Sequence, residues 1–148
     1  MPTPSRRPPP VSSLDVALHR VGDRWSLLLV EALLGGPRRF GELLDDLDGL
    51  APNILSNRLK ALEAEGLLAA RPYSSRPRRV AYVLTASGAE LAGALRLLAQ
   101  WGAVRGDVRS TRPPLHHGAC GTAVEARWWC PTCSRVVEEE EDPQLDWV

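Results

Sequence analysis

"PNILSNRLKALEAEG", residues 52–66, is the stretch on which the fold turns. Leu55, Leu59 and Leu62 recur at i, i+4 and i+7, the spacing of a helix face turned toward a core. Asn53, Ser56, Asn57 and Lys60 recur at similar spacing on the opposite face. A merely solvated face is normally filled with strong helix formers such as Glu, Lys and Ala, because Asn and Ser compete with their own backbone. Two asparagines and a serine on one stripe therefore call for a reason.

Upstream, Pro52 suits a first helical position, where its missing N–H costs nothing. "DGLA" (48–51) reads as a short turn, preceded by a helix over about Phe40 to Leu47 from "RRFGELLDDL". Asp23 is an N-cap for another helix, with Trp25, Leu28, Leu29, Ala32 and Leu33 facing inward until "GGP" (35–37) stops it. Ser12 or Ser13 caps a helix through Val21 whose face carries Leu14, Ala17, Leu18 and Val21. Downstream, Gly66 fits a left-handed helix terminator. "LLAARPY" (67–73) and "RVAYVLT" (79–85) read as two strands joined by "SSRPR", and Thr85 then caps one long helix over 86–104. Leu91, Leu95 and Leu98, continued by Trp101, form an apolar seam that a small domain does not obviously cover, so a dimer interface is expected there.

Three helices, a short turn, a fourth helix and a two-stranded ribbon make a chain that is mainly α with a small β-ribbon (α+β), in the order of a winged helix-turn-helix. The second helix of such a pair lies in the DNA major groove. Asn and Ser there can both donate and accept at base edges, which Glu cannot. A plain solvated face is the alternative. Arg71, Arg76, Arg78 and Arg79 crowd the ribbon, and Arg38 and Arg39 open the helix before the turn. Such arginines repel one another unless phosphates neutralise them, although solubility alone is the blander account. Arg58 lies between the polar and apolar stripes with no acidic neighbour at i+3 or i+4, leaving a phosphate contact or a solvated guanidinium as its two readings.

Charge is distributed unevenly along the 148 residues. The formal net charge is zero, yet 16 of the 18 cations and only 11 of the 18 anions precede Pro113, so a basic body carries an acidic end. The expected organisation is a proline-rich disordered arm (1–11), a winged helix with its terminal helix (12–108), a small module (113–137) and an acidic tail (138–148) whose "EEEED" run reads as solvated. No apolar run resembling a signal peptide follows the basic N-terminus, and nothing approaches about 18 consecutive apolar residues, so the expectation is a cytoplasmic protein.

All three cysteines fall in "HHGACGTAVEARWWCPTC" (116–133). His117-x-x-Cys120 and Cys130-x-x-Cys133 resemble the two knuckles of a zinc ribbon, with a His replacing one thiolate. Three thiolates and an imidazole suit tetrahedral Zn²⁺ in a structural role, with His116 as the alternate fourth ligand. The C-x-x-C pair could instead be a redox dithiol, although no thioredoxin-like βαβ pattern surrounds it.

From about Ser12 to Trp101 the sequence resembles the HxlR-type winged-helix transcriptional regulators of bacteria. "VGDRWSLLLVEALLGGPRRFGELLDDL", "LSNRLKALEAEGLL" and "YVLTASGAEL" carry the likeness. The resemblance implies a homodimer on a pseudo-palindromic operator. DNA contacts would then come from Asn53, Ser56, Asn57 and Lys60 of the recognition helix and from Arg38, Arg39, Arg76, Arg78 and Arg79 around the wing. Two departures stand out. Members often carry a redox-sensing Cys just before the first helix, where this chain has Ser12, so thiol switching at that position is excluded. Ala51 replaces the Ser or Thr that usually caps the recognition helix. The rival functions are a winged-helix protein-interaction module and a C-x-x-C thiol oxidoreductase. Against an enzyme, no paired carboxylates, Gly-rich phosphate loop or Ser-His-Asp arrangement stands out.

Overall fold

Leu55, Leu59 and Leu62, the apolar stripe of the opening stretch, are between 0% and 2% exposed and form the centre of the core. The structure, a computed structural model, describes residues 12–105 and 116–137. The expected arm (1–11), the connection 106–115 and the acidic tail lie outside the described residues. The chain divides into two compact units, Met1–Arg96 and Leu97–Val148.

In the first unit, α1 (Ser13–Val21) is capped by the Ser12 hydroxyl, which accepts from the Asp15 N–H at 3.0 Å. Only Val21 of this helix is buried. α2 (Arg24–Leu34) starts at Asp23, whose carboxylate accepts from the N–H groups of Trp25 and Ser26 at 3.1 and 3.0 Å. Its buried face is Ser26, Leu29, Val30 and Leu33, rotated from the one expected: Leu28 is only half-buried, and the small Ser26 takes an inward place beside the cap. A two-residue strand, β1 (Arg38–Arg39), leads into α3 (Phe40–Asp46). Gly49, at φ +79°, lets the next turn reverse tightly, and Leu50 is buried within it. α4 (Pro52–Ala64) then begins with proline at its first position and no side-chain cap from Ala51. Gly66 ends that turn at φ +71°.

The wing departs from a simple ribbon. β2 (Leu68–Ser75) pairs antiparallel with β3 (Arg78–Leu84) from Leu68↔Leu84 to Ser75↔Arg78, so the loop shrinks to Arg76 and Pro77. β1 adds on the other side of β3, with Arg38 opposite Tyr82 and Arg39 opposite Ala81, giving a three-stranded sheet ordered β1-β3-β2. Arg38 and Arg39 thus stand at the start of α3 as expected, Arg39 as its N-cap, but do so as a strand. Their backbones complete the free edge of β3, satisfying hydrogen-bonding groups that a helix start would leave open.

The expected single terminal helix is two. α5 (Ala86–Glu90) is capped by Thr85, whose hydroxyl accepts from the Gly88 N–H and donates to the Gly66 carbonyl at 2.6 Å. α6 (Ala92–Arg105) follows after a break at Leu91, which has Gly88 and Gly93, both weak helix formers, on either side. The Thr85 N–H also donates to the Leu67 carbonyl, so the start of α5 is tied to the chain leaving α4. Leu91 and Leu95 pack against the core.

One further contact fixes α4. The Arg58 Nε lies 3.4 Å from the same Asp23 oxygen that caps α2. Burial pushes the Asp23 carboxyl up, but the Ser26 hydroxyl and N–H, the Arg58 guanidinium and the Trp25 N–H outweigh it and hold it below the usual carboxylate range.

In the second unit, β4 (Trp129–Cys130) and β5 (Arg135–Val136) form a small hairpin, and His116 bridges Ala123 in antiparallel fashion. Among the described residues no helix is long and apolar enough to cross a membrane.

Two stability outcomes follow from these contacts. A Cβ at Gly88 would collide with the Leu67 carbonyl oxygen, a backbone atom held by Thr85. Gly88→Ala should therefore cost about 1–3 kcal/mol in urea unfolding, the range for overpacking a tight contact. Asp23→Ala should cost about 0.5–2 kcal/mol through the lost cap. Because the Asp23 pKa is lowered by folding, its contribution is complete above the ordinary value of 3.8 and is lost as pH falls through the lower folded value. Unfolding curves of native and Asp23→Ala proteins should accordingly converge in acid.

Candidate nucleic-acid interface

The buried leucines of α4 fix which side of the helix faces outward. Asn53, Asn57 and Lys60 are exposed, and Ser56 is half-buried at the edge of the stripe. The expected polar face therefore stands clear of the core. Ala51 leaves the first turn without a side-chain acceptor, yet its carbonyl accepts from Leu55 at 3.0 Å, and the helix is held further along by Leu55, Leu59, Leu62 and Arg58.

At the wing tip Arg76, Arg78 and Arg79 are exposed, as is Arg71 on β2. Among the described residues they share no ion pair with an acid that would occupy them in the way Arg38 and Arg58 are occupied. Arg38 faces Asp46 of α3 at 3.2 Å. Arg39 lies over the Tyr73 ring at 4.6 Å, linking β1 to β2. The Nε atoms of Arg38 and Arg58 are buried at ion-pair distance without the alignment of a hydrogen bond. Arg38 and Arg39, expected at the DNA, and Arg58, left open between two readings, thus each make a contact inside the fold. No local signal pointed to it, since Asp23 lies far from Arg58 in the chain and Tyr73 far from Arg39.

The expected dimer seam separates into two parts. Leu91 and Leu95 are half-buried on the protomer's own core, whereas Leu97, Leu98 and Trp101 are exposed, Leu98 and Trp101 by more than half. On α1, Leu14 and Leu18 are also more than half exposed, so the described residues leave much of the apolar face of that helix open.

The four expected metal ligands form two close pairs. The His117 Nδ1 and Cys120 Sγ are 3.3 Å apart, and the Cys133 N–H donates to the Cys130 Sγ at 3.4 Å. Hydrogen bonds from the Thr122 side chain and N–H, and then from His117, hold the Cys120 thiol below its usual range. The N–H and side chain of Cys133 do the same for Cys130. Among the described residues no three His, Cys, Asp or Glu side chains gather at one point.

Several known proteins are similar to this chain in sequence and fold. An uncharacterized HTH-type transcriptional regulator of Mycobacterium tuberculosis is 39% identical over 130 residues, spanning 84% of this chain and 79% of its own. The solved structure of PA1607, a candidate transcription factor, superposes with a TM-score of 0.73 at 29% identity and covers 87% of this chain and 90% of that one. The redox regulator HypR in its oxidized form aligns with a TM-score of 0.61 at 27% identity, over 64% of this chain and 98% of its own. The HxlR-like helix-turn-helix family matches residues 20–109, from the end of α1 through the wing and α6. With α4 set against its leucine core, a three-stranded wing beside it and that match across more than half of its length, the chain belongs to the HxlR-like family of winged-helix transcriptional regulators.

Proposed function

We propose that the protein acts as a homodimer on a pseudo-palindromic DNA operator, reading bases with Asn53, Ser56, Asn57 and Lys60 and holding phosphates with Arg76, Arg78 and Arg79. The observation that carries this reading is the division of α4: three leucines sealed in the core leave the amide, hydroxyl and ammonium groups of the other face outward. Base edges in the major groove present donors and acceptors together, and Asn meets both. The wing arginines supply charge without direction, which suits phosphate. Arg39 can also reach backbone while stacked on Tyr73. Arg38 has its charge matched by Asp46, and it contributes chiefly by orienting β1 and α3. A protein partner in place of DNA would not require this separation of amide-bearing helix and cationic wing.

Dimerisation rests on the apolar surface the single chain leaves open. On α6 that surface is Leu98, continued by Trp101, and on α1, taken separately, it is Leu14 and Leu18. Leu91 and Leu95 support it from the protomer's core. An isologous contact would bury such a surface twice over and set two recognition helices at a fixed spacing.

Two measurements test these statements. Fluorescence anisotropy on operator and random duplexes should show Asn57→Ala losing about 1–3 kcal/mol of discrimination, the worth of one good base contact. Arg78→Ala should weaken both duplexes alike and flatten the salt slope by about one unit. Equal losses on both duplexes for Asn57→Ala would remove it from the base-reading set. In sedimentation, Leu98→Glu should yield folded monomers, whereas Leu95→Glu should chiefly lower the unfolding midpoint. A Leu98→Glu protein that remains dimeric would place the interface elsewhere.

A further inference from the structure

The second unit holds a turn-forming segment without a core. Across residues 116–137 no side chain is buried; Cys130, Val136 and Val137 are half-buried, and Val124, Trp128 and Trp129 are exposed. Segments this small ordinarily need disulfides, a metal or a partner to fold. None of the three cysteines is in a disulfide. Yet the segment makes two tight turns of matching construction.

In the first turn the His117 carbonyl accepts from the N–H groups of Cys120 and Gly121 at 3.3 and 2.7 Å, and His117 returns its own N–H to the Thr122 carbonyl at 2.8 Å. Gly121, directly after Cys120, has φ +70°. In the second, Cys130 and Cys133 flank a turn closed by the β4–β5 pairing, and Ser134, directly after Cys133, has φ +52°. Ser134 is the one non-glycine residue with positive φ among the described residues. A left-handed residue at the same place in both turns bends the chain back behind the second donor. It leaves two donor side chains on the outside of each tip.

The spacing of the first pair of donors is close to that within a metal's coordination shell. Zinc bonds of about 2.0 Å to nitrogen and 2.3 Å to sulfur, at the tetrahedral angle, put the two donors about 3.5 Å apart. His117 Nδ1 and Cys120 Sγ stand at 3.3 Å. At the other tip the Cys133 N–H points at the Cys130 sulfur, the type of outer contact that steadies a bound thiolate. The two pairs are half-sites, not yet one cluster. The intervening residues 124–128 carry no helix or strand, so the tips can be drawn together without breaking either turn.

We propose that the two turns close on a single Zn²⁺ ion bound by His117, Cys120, Cys130 and Cys133, and that this ion supplies the folding free energy that residues 116–137 lack. Four protein ligands complete the tetrahedron, which makes the site structural and leaves no open position for chemistry. His117 is the imidazole ligand because its ring already meets Cys120. The proposal is independent of how α4 reads DNA.

Elemental analysis of the full untagged chain, purified under reducing conditions, should find one zinc per chain. Replacement by Co²⁺ should give the strong visible bands of a tetrahedral thiolate site. Chelation should collapse the amide resonances of residues 116–137 while those of residues 12–96 stay dispersed, the latter serving as the folding control. Cys120→Ser, Cys130→Ser and Cys133→Ser should each weaken Zn²⁺ binding by more than the roughly 10–100-fold that loss of an outer-shell partner costs. His117→Ala should weaken it too, and His116→Ala should leave it unchanged. Metal well below one equivalent, or a segment equally folded after chelation, would overturn the proposal. Weakening by His116→Ala in place of His117→Ala would overturn the ligand set.

Discussion

One carboxylate joins the two segments on which the winged helix is built. Asp23 begins α2 by accepting from two backbone N–H groups and meets the guanidinium of Arg58 on α4. A cap alone would start one helix, and an ion pair alone at such a half-exposed site would be worth little. Sharing one group between them gives the arrangement its value: the same oxygen sets where α2 begins and ties that start to α4. Rotation of α4 about its axis decides whether Asn53 and Asn57 face outward or sideways. The leucine stripe supplies most of the burial and fixes that rotation, and the ion pair adds a second restraint between the two helices.

The helices were legible because their signals are local. Caps at Ser12, Asp23 and Thr85, proline at the start of α4, glycine after it and the leucine period all lie within a few residues of what they control. β1 was not legible. Two arginines before a helix carry no strand pattern, and only the open edge of β3 some forty residues on gives them one. The apolar seam of the last helix was seen but not divided, since a leucine period looks the same whether its partner lies in the same protomer or in another. Leu91 and Leu95 meet the core only because α5 is docked through Thr85 and Gly88, a close approach of two backbones.

The candidate interface was legible to a similar degree. The polar stripe of α4 was visible because its composition is odd for a surface helix. The roles of Arg39 and Arg58 were hidden because each depends on a partner distant in sequence, and that of Arg38 because its partner Asp46 comes near only once the strand and α3 have formed. Both His-x-x-Cys and Cys-x-x-Cys were visible by spacing, while the left-handed Ser134 that makes the second turn match the first was not, since serine advertises no such conformation.

The Ser12 hydroxyl has a wider meaning for the family. At its place before α1 the oxygen receives an N–H from Asp15 at the positive end of a helix. Those two features, a donor aimed at the atom and a favourable dipole, are what convert a thiol into a thiolate. The scaffold therefore keeps the electrostatic setting of a reactive sulfur but fills it with an atom that cannot change oxidation state. The same position that starts the helix in this chain would, with a sulfur in place of the oxygen, hold a thiol in a setting that favours the thiolate.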